Sequence, residues 1–271
     1  MEDAQWQALA ARLRPRGRGP AEPGPVVPLG RTGPVAAFAL PTMGGTVHEY
    51  AALAGRLDGA CRVWGIEADG PLTSLPVMVE RAAGLVRSTQ PEGPYRLLGW
   101  AAGGVLAYET ARLLEADGAE VALVVLVDAP SRTGRWRPDP ADDLAAMFAG
   151  DVLRGLGRPA GTVAGLSAAQ QLSLLADRLH PDRAGDLRAA LERWYAVFVA
   201  HGAALAGYRA EGLLGAAAVL VSAHGSQDWA PYWRARFRGP VREISTTAGH
   251  YGCLHAPAVG AVAAAIRGFL R

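Results

Sequence analysis

Residues 98–104, Leu-Gly-Trp-Ala-Ala-Gly-Gly, restrict this chain more than any other stretch of its sequence. The apolar run 95–98 (Tyr-Arg-Leu-Leu) leads directly into it, and residues 105–116 have the periodicity of a helix closed by Gly118. A strand is therefore predicted to turn into a helix within a few residues. Three kinds of strand–turn–helix use glycines in this way. A dinucleotide-binding turn needs the spacing G-x-G-x-x-G, which glycines at 99, 103 and 104 do not supply. A phosphate-cradling loop needs Gly-Lys-Ser or Gly-Lys-Thr, and no Lys stands here. The third is the sharp elbow that presents a nucleophile, G-x-S-x-G, with alanine in the central place.

An elbow accounts for the glycines physically. Turning from strand to helix so abruptly strains the central residue and brings the residues two before and two after it together, where no side chain fits. Gly99 and Gly103 hold those two places. The helix that follows offers unpaired backbone N–H groups, suited to a developing negative charge.

Around the elbow, strand-like and helical patterns alternate. Strands are predicted over residues 35–40, 62–66, 95–98 and 121–127, with helices over 48–57, 75–88 and 105–116. Val121–Val127 is apolar at every position, as in a parallel strand covered on both faces. Residues 131–214 read as helical, with a capping box at Ser167 and Gln170 and a long amphipathic helix over 187–205. Strands resume at 216–221 and 241–245, and 256–270 makes a closing helix. The predicted class is α/β, a mostly parallel central sheet flanked by helices with an inserted helical block. Residues 1–30 read as an N-terminal segment and linker, rich in Arg, Pro and Gly from 12 to 33, and 31–271 as the folded domain.

The balance of 27 basic and 25 acidic residues gives a net charge of +2, which argues against nucleic acid or an acidic membrane surface as partner. Cys61 and Cys253 make neither a disulfide framework nor a zinc ligand set, and no metal site is expected. The longest aliphatic run is far below the roughly 20 residues of a membrane span, and the N-terminus lacks a secretory pattern. A cytoplasmic chain is expected.

The stretch 90–109, Gln-Pro-Glu-Gly-Pro-Tyr-Arg-Leu-Leu-Gly-Trp-Ala-Ala-Gly-Gly-Val-Leu-Ala-Tyr-Glu, resembles the thioesterase domains that end non-ribosomal peptide synthetases. Residues 38–45, 64–70 and 248–251 resemble the same family in the same order, so the likeness covers about 24–271. It implies an α/β-hydrolase fold whose helical block, about 131–214, is a lid. The departure falls on the nucleophile, Ser or occasionally Cys in the family and Ala101 here. A methyl group cannot attack a carbonyl, so the chain as written is expected to be inactive. Two origins fit: a deliberate replacement that keeps the fold and traps a complex, which is the reading adopted, or a natural inactive relative.

An elbow needs a base and an acid. His250, in a loop before the closing helix, stands where hydrolases of this fold place their histidine, although the family's usual Gly-Asp-His is Ala-Gly-His here. His255 is a rival at a helix start, while His48, His180, His201 and His224 lack a comparable position and are expected to be solvated or structural. The acid is Asp128, at the end of the apolar strand, or Asp228; the resemblance favours Asp128. It also implies an oxyanion hole from the backbone N–H groups of Met43 and Ala102, with Gly44 and Gly45 freeing the loop. Trp194, Tyr195 and Phe198 either line an acyl pocket or pack between lid helices.

The implied substrate is a peptidyl or other acyl thioester carried on the phosphopantetheine of an upstream carrier protein. It would be released by hydrolysis or intramolecular cyclisation through an acyl-enzyme, with no cofactor bound by the domain itself and a monomer as the working unit. Other readings are an esterase or proofreading thioesterase of the same fold, and a non-catalytic domain that holds an acyl chain or carrier.

Overall fold

The structure is a computed structural model, described for residues 24–131, 141–155, 166–179, 184–226 and 229–270. Among these residues seven strands form one sheet: β1 (Val26–Pro28), β2 (Val35–Ala39), β3 (Cys61–Ile66), β4 (Tyr95–Trp100), β5 (Val121–Val127), β6 (Ala217–Ser222) and β7 (Val241–Ser245). Their spatial order is β1-β3-β2-β4-β5-β6-β7. Only β1 runs antiparallel, against β3, while the pairs from β3 to β7 are parallel. The mostly parallel α/β class expected from the sequence is the one observed.

Along β5 the side chains alternate between two cores. Val124 and Leu126 join one with Phe38, Leu97 and Leu220. Leu123, Val125 and Val127 join the other with Leu98, Val219 and Val221. A strand feeding both cores has no polar face to show, which explains its uninterrupted apolar sequence. Helices α2 (Leu75–Thr89) and α3 (Ala102–Ala116) bury their apolar sides in the first core. Helices α1 (Ala51–Leu57) and α8 (Ala258–Arg267) cover the second.

The sheet begins inside the segment read as a linker. Val26 to Pro28 pair with Trp64 to Ile66, and the Glu67 N–H donates to the Pro25 carbonyl (2.7 Å). Prolines hid this strand from pattern reading, yet an edge strand tolerates a residue without an N–H. Residues 1–11, a stretch whose sequence could form one short helix, lie outside the described residues.

Between β5 and β6 come α4 (Ala141–Gly155), α5 (Ala168–Leu179) and α6 (Ala184–Leu205), as the helical pattern of 131–214 predicts. The capping box at the start of α5 forms: the Ser167 N–H donates to Gln170 Oε1 (2.9 Å), and the Gln170 N–H donates to Ser167 Oγ (3.4 Å). These helices share a third core, Phe148, Leu153, Leu172, Leu191 and Phe198 among its members, which also takes in Met43 and Val105 from the sheet domain. A short helix, α7 (Ala230–Arg234), follows β6.

The chain order reverses about β2, with β3 on one side and β4 on the other. Connections leaving the carboxyl ends of β2 and β4 therefore diverge, and the crevice between them is where sheets of this kind build sites. Tyr50 bridges that crevice. Its hydroxyl donates to the Leu40 carbonyl (3.0 Å) and accepts from the Trp100 N–H (2.7 Å), with the side chain fully buried. Burial pushes the phenol upward, so it stays protonated and able to donate. Tyr50→Phe leaves a buried N–H and a buried carbonyl without their partner and is expected to lower stability by about 1–3 kcal/mol. Urea denaturation measures this, and a loss below about 0.5 kcal/mol contradicts the bridge.

Candidate active site

The elbow forms as the glycine spacing predicts. Ala101 sits between β4 and α3 with φ 51° and ψ −123°. A Cβ on Gly99 would lie 2.2 Å from the Gly103 carbonyl oxygen, and one on Gly103 would lie 2.9 Å from the Leu40 oxygen and from the Tyr50 hydroxyl. No side chain fits at either place. The Ala101 N–H donates to the Val127 carbonyl (2.9 Å), which fixes the elbow to the end of β5.

Asp128 is the next residue along β5. It too has a positive φ, 46°, and its N–H donates to Val221 on β6 (2.7 Å). Its carboxylate, on a side chain only 3% exposed, accepts from the Ala223 N–H (3.1 Å) and the Ser226 hydroxyl (2.8 Å). The same oxygen that takes Ser226 lies 2.5 Å from His250 Nδ1. Burial pushes the Asp128 carboxyl upward, but the hydrogen bonds from His250, Ala223 and Ser226 outweigh it and hold it below the usual carboxylate range. The group is therefore a carboxylate at neutral pH.

His250 opens a short 3-10 turn, 250–252. Its loop is tied down without the family's aspartate: the His224 N–H donates to the Ala248 carbonyl (2.8 Å), and the Thr246 hydroxyl bonds both the Ala248 N–H (3.1 Å) and its carbonyl (3.0 Å). Trp100 stacks on the imidazole (centroids 4.7 Å apart), and its indole N–H donates to the His250 carbonyl (3.2 Å). With Nδ1 turned to Asp128, Nε2 is the nitrogen left to exchange a proton with a reacting group.

Met43 lies in the turn after β2, where the Thr42 N–H donates to Thr46 and the Gly45 N–H to Thr42 (both 2.9 Å). Among the described residues the Met43 N–H donates to no backbone carbonyl, and Ala102 is the first residue of α3, where an amide has no intrahelical acceptor. Helix α6 presses on this turn. Trp194 Nε1 lies 2.5 Å from where a Gly44 Cβ would stand, and the buried His201 ring hydrogen-bonds the backbone at Thr42 and Met43. His201 is thus structural, with burial holding its imidazole below the ordinary range.

Trp194, Tyr195 and Phe198 gather around Phe148 of α4, with ring centroids 5.3, 5.5 and 5.5 Å away. The three rings thus take part in the packing of α6 against α4. His48 pairs with Glu49 (3.0 Å), while His255 is exposed on the rim of a neighbouring cavity. Asp228 and His180 lie outside the described residues. Cys253 is fully buried, and burial raises its thiol, which suits core packing rather than attack. Sequence reasoning missed Tyr50 and Ser226, whose contacts span 50 and 98 residues of chain and leave no local pattern.

Comparison with known proteins settles the family. The model of the thioesterase domain matches residues 37–250. The chain belongs to the thioesterase-domain family. Among similar solved structures, a four-domain non-ribosomal peptide synthetase, holo-AB3403, matches with TM-score 0.78 at 24% identity over 91% of this chain and 20% of that one. The surfactin-cyclising thioesterase domain SrfTE matches with TM-score 0.63 at 20% identity over 93% of this chain and 99% of that one. These likenesses establish the α/β-hydrolase fold. A non-reducing polyketide synthase of Pseudevernia furfuracea is 32% identical over 47% of this thioesterase chain, and malpinin synthetase of Mortierella alpina 33% identical over 44%. The chain spans 6% and 2% of their lengths. Among its described residues no helix is long and apolar enough to cross a membrane.

The lowered carboxyl of Asp128 sets a pH signature. A depressed folded-state pKa contributes stability above the unfolded value, near 3.9, and that stability is lost as pH falls through the folded value. Asp128→Asn is therefore expected to be less stable than the parent at neutral pH, with the gap closing below about pH 4. Urea midpoints across pH 2–7 test this, and a gap independent of pH contradicts the charged hydrogen-bond set.

Proposed function

We propose that this chain is the chain-release thioesterase domain of a non-ribosomal peptide synthetase or related synthase, with its attacking atom absent. The observation that carries the reading is a carboxylate-oriented imidazole, Asp128–His250, fixed beside a strained elbow whose central residue is Ala101. With Ser or Cys at 101, His250 Nε2 takes the nucleophile's proton as the thioester carbonyl is attacked, and Asp128 holds the tautomer and stabilises the imidazolium. The Met43 and Ala102 N–H groups receive the oxyanion. His250 then protonates the leaving thiolate of the carrier's phosphopantetheine, and water or an internal nucleophile of the acyl chain attacks next.

The upstream carrier domain delivers the substrate, the domain needs no resident cofactor, and one chain supplies every residue named, as a monomer working in the cytoplasm. Helices of 131–214 act as the lid, and water exclusion beneath them decides between hydrolysis and ring closure. Trp194, Tyr195 and Phe198 shape the acyl channel through their packing. Ala101 itself favours a second reading, a natural domain that holds an acyl chain or carrier without turnover; an engineered alanine belongs to the first reading.

Restoring the nucleophile separates the two. Losing the serine of a triad costs on the order of 10⁶ in turnover, of which binding and oxyanion stabilisation are spared. Ala101→Ser or Ala101→Cys is expected to speed acyl loss from a loaded carrier by at least on the order of 10³, with the intact mass of the product distinguishing acid from ring. Folded variants that bind the carrier without any gain support the non-catalytic reading instead.

A further inference from the structure

Two rings that touch the His250 imidazole also wall a separate cavity of about 80 Å³. Trp100 and Tyr251 stand 4.7 and 5.1 Å from that imidazole, centroid to centroid. Facing them is Asp151 of α4, whose carboxylate accepts from the Tyr251 hydroxyl, with Glu49 completing the wall. Asp151 and Glu49, the latter paired with His48 (3.0 Å), are partly buried, whereas Arg154 and His255 are exposed at the mouth. Burial pushes the Asp151 carboxyl upward against the Tyr251 hydrogen bond and the nearby His250 and Arg154, so a further positive group would find a desolvated acid there.

The aromatic wall already accepts a cation. Arg154 places its guanidinium carbon 4.7 Å from the centre of the Tyr251 ring. With Glu49 paired to His48, Asp151 is the acid the wall offers a ligand, and it disfavours a phosphate or carboxylate and favours a positive group. A water needs about 10–15 Å³ on this measure, so the space suits an ammonium and a few methylenes.

We propose that this cavity is a subsite for a primary ammonium group of the acyl chain, held by Asp151 against Trp100 and Tyr251, with Arg154 covering the Tyr251 face until the chain arrives. That the ligand is an acyl chain rests on the thioesterase reading above; that the cavity takes an ammonium does not.

The chain as it stands cannot consume a thioester through residue 101, so binding is measured directly. Calorimetry compares a series of ω-aminoacyl thioesters of N-acetylcysteamine with their N-acetylated counterparts. The amine form of the best-fitting length is expected to bind about tenfold more tightly. Asp151→Asn erases the difference, and Arg154→Gln, which uncovers the Tyr251 face, strengthens binding of the amine form. Equal affinities throughout the series, or no binding of either form, overturn the subsite even if Asp151→Asn fails to fold. A preference that survives in folded Asp151→Asn does so too. Turnover of the acetylated thioesters by Ala101→Ser reports separately on the activity. Turnover without amine preference sinks the subsite alone, and amine preference without turnover by Ala101→Ser or Ala101→Cys retains the subsite and sinks the activity.

Discussion

Ala101 is held at a φ of 51° by the close approach of Gly99 to Gly103 and by the hydroxyl of Tyr50 beneath them. A non-glycine residue in such a conformation costs on the order of 1–3 kcal/mol and persists only where its surroundings impose it. Here they do so from both sides. Tyr50 joins the ends of β2 and β4, and the Ala101 amide is bonded to the end of β5. The strained geometry needs nothing from a hydroxyl or thiol at 101, since alanine adopts it. The elbow is thus a property of the sheet's packing, and the atom it presents is a separate matter.

From that fixed point the remaining groups follow the sheet. Parallel pairing of β4 with β5 puts Trp100 level with Val127, so the residues just beyond, Ala101 and Asp128, emerge side by side. Pairing of β5 with β6 brings Ala223 and Ser226 to the Asp128 carboxylate. Three donors on one buried acid keep it charged, and a charged acid keeps the His250 ring turned with Nδ1 inward. The loop carrying His250 is closed by Thr246 and by the stacked Trp100, a neighbour of the elbow in sequence. Position, tautomer and orientation are thereby linked through the residues packed around the three positions.

What could be read in the sequence divides along physical lines. Local periodicity placed β5 and β7 at their observed bounds, because an apolar run between turn residues has few other uses. Steric need identified Gly99 and Gly103, since a missing side chain at fixed spacing is itself a signal. Strand β1 was hidden because its prolines mimic a linker and its partner, β3, is distant in sequence. Tyr50, Ser226 and Asp151 were hidden for a related reason: each acts through a contact made only after the sheet and the helices of 131–214 assemble. For His201 the sequence left solvated and structural open, and only the fold shows that it is buried against the backbone of Thr42 and Met43.

The Asp128–His250 pair and the elbow are arranged around a methyl group, and the central claim of the proposed function is that this arrangement will activate whatever nucleophile is placed there. Intact-protein mass spectrometry after treating Ala101→Ser with a small fluorophosphonate tests it most directly, with His250→Ala in the same background as the control. A single phosphonyl adduct at position 101, formed quickly and lost with the imidazole, is the predicted result. A folded variant that takes no adduct, or takes it equally fast without His250, contradicts the account.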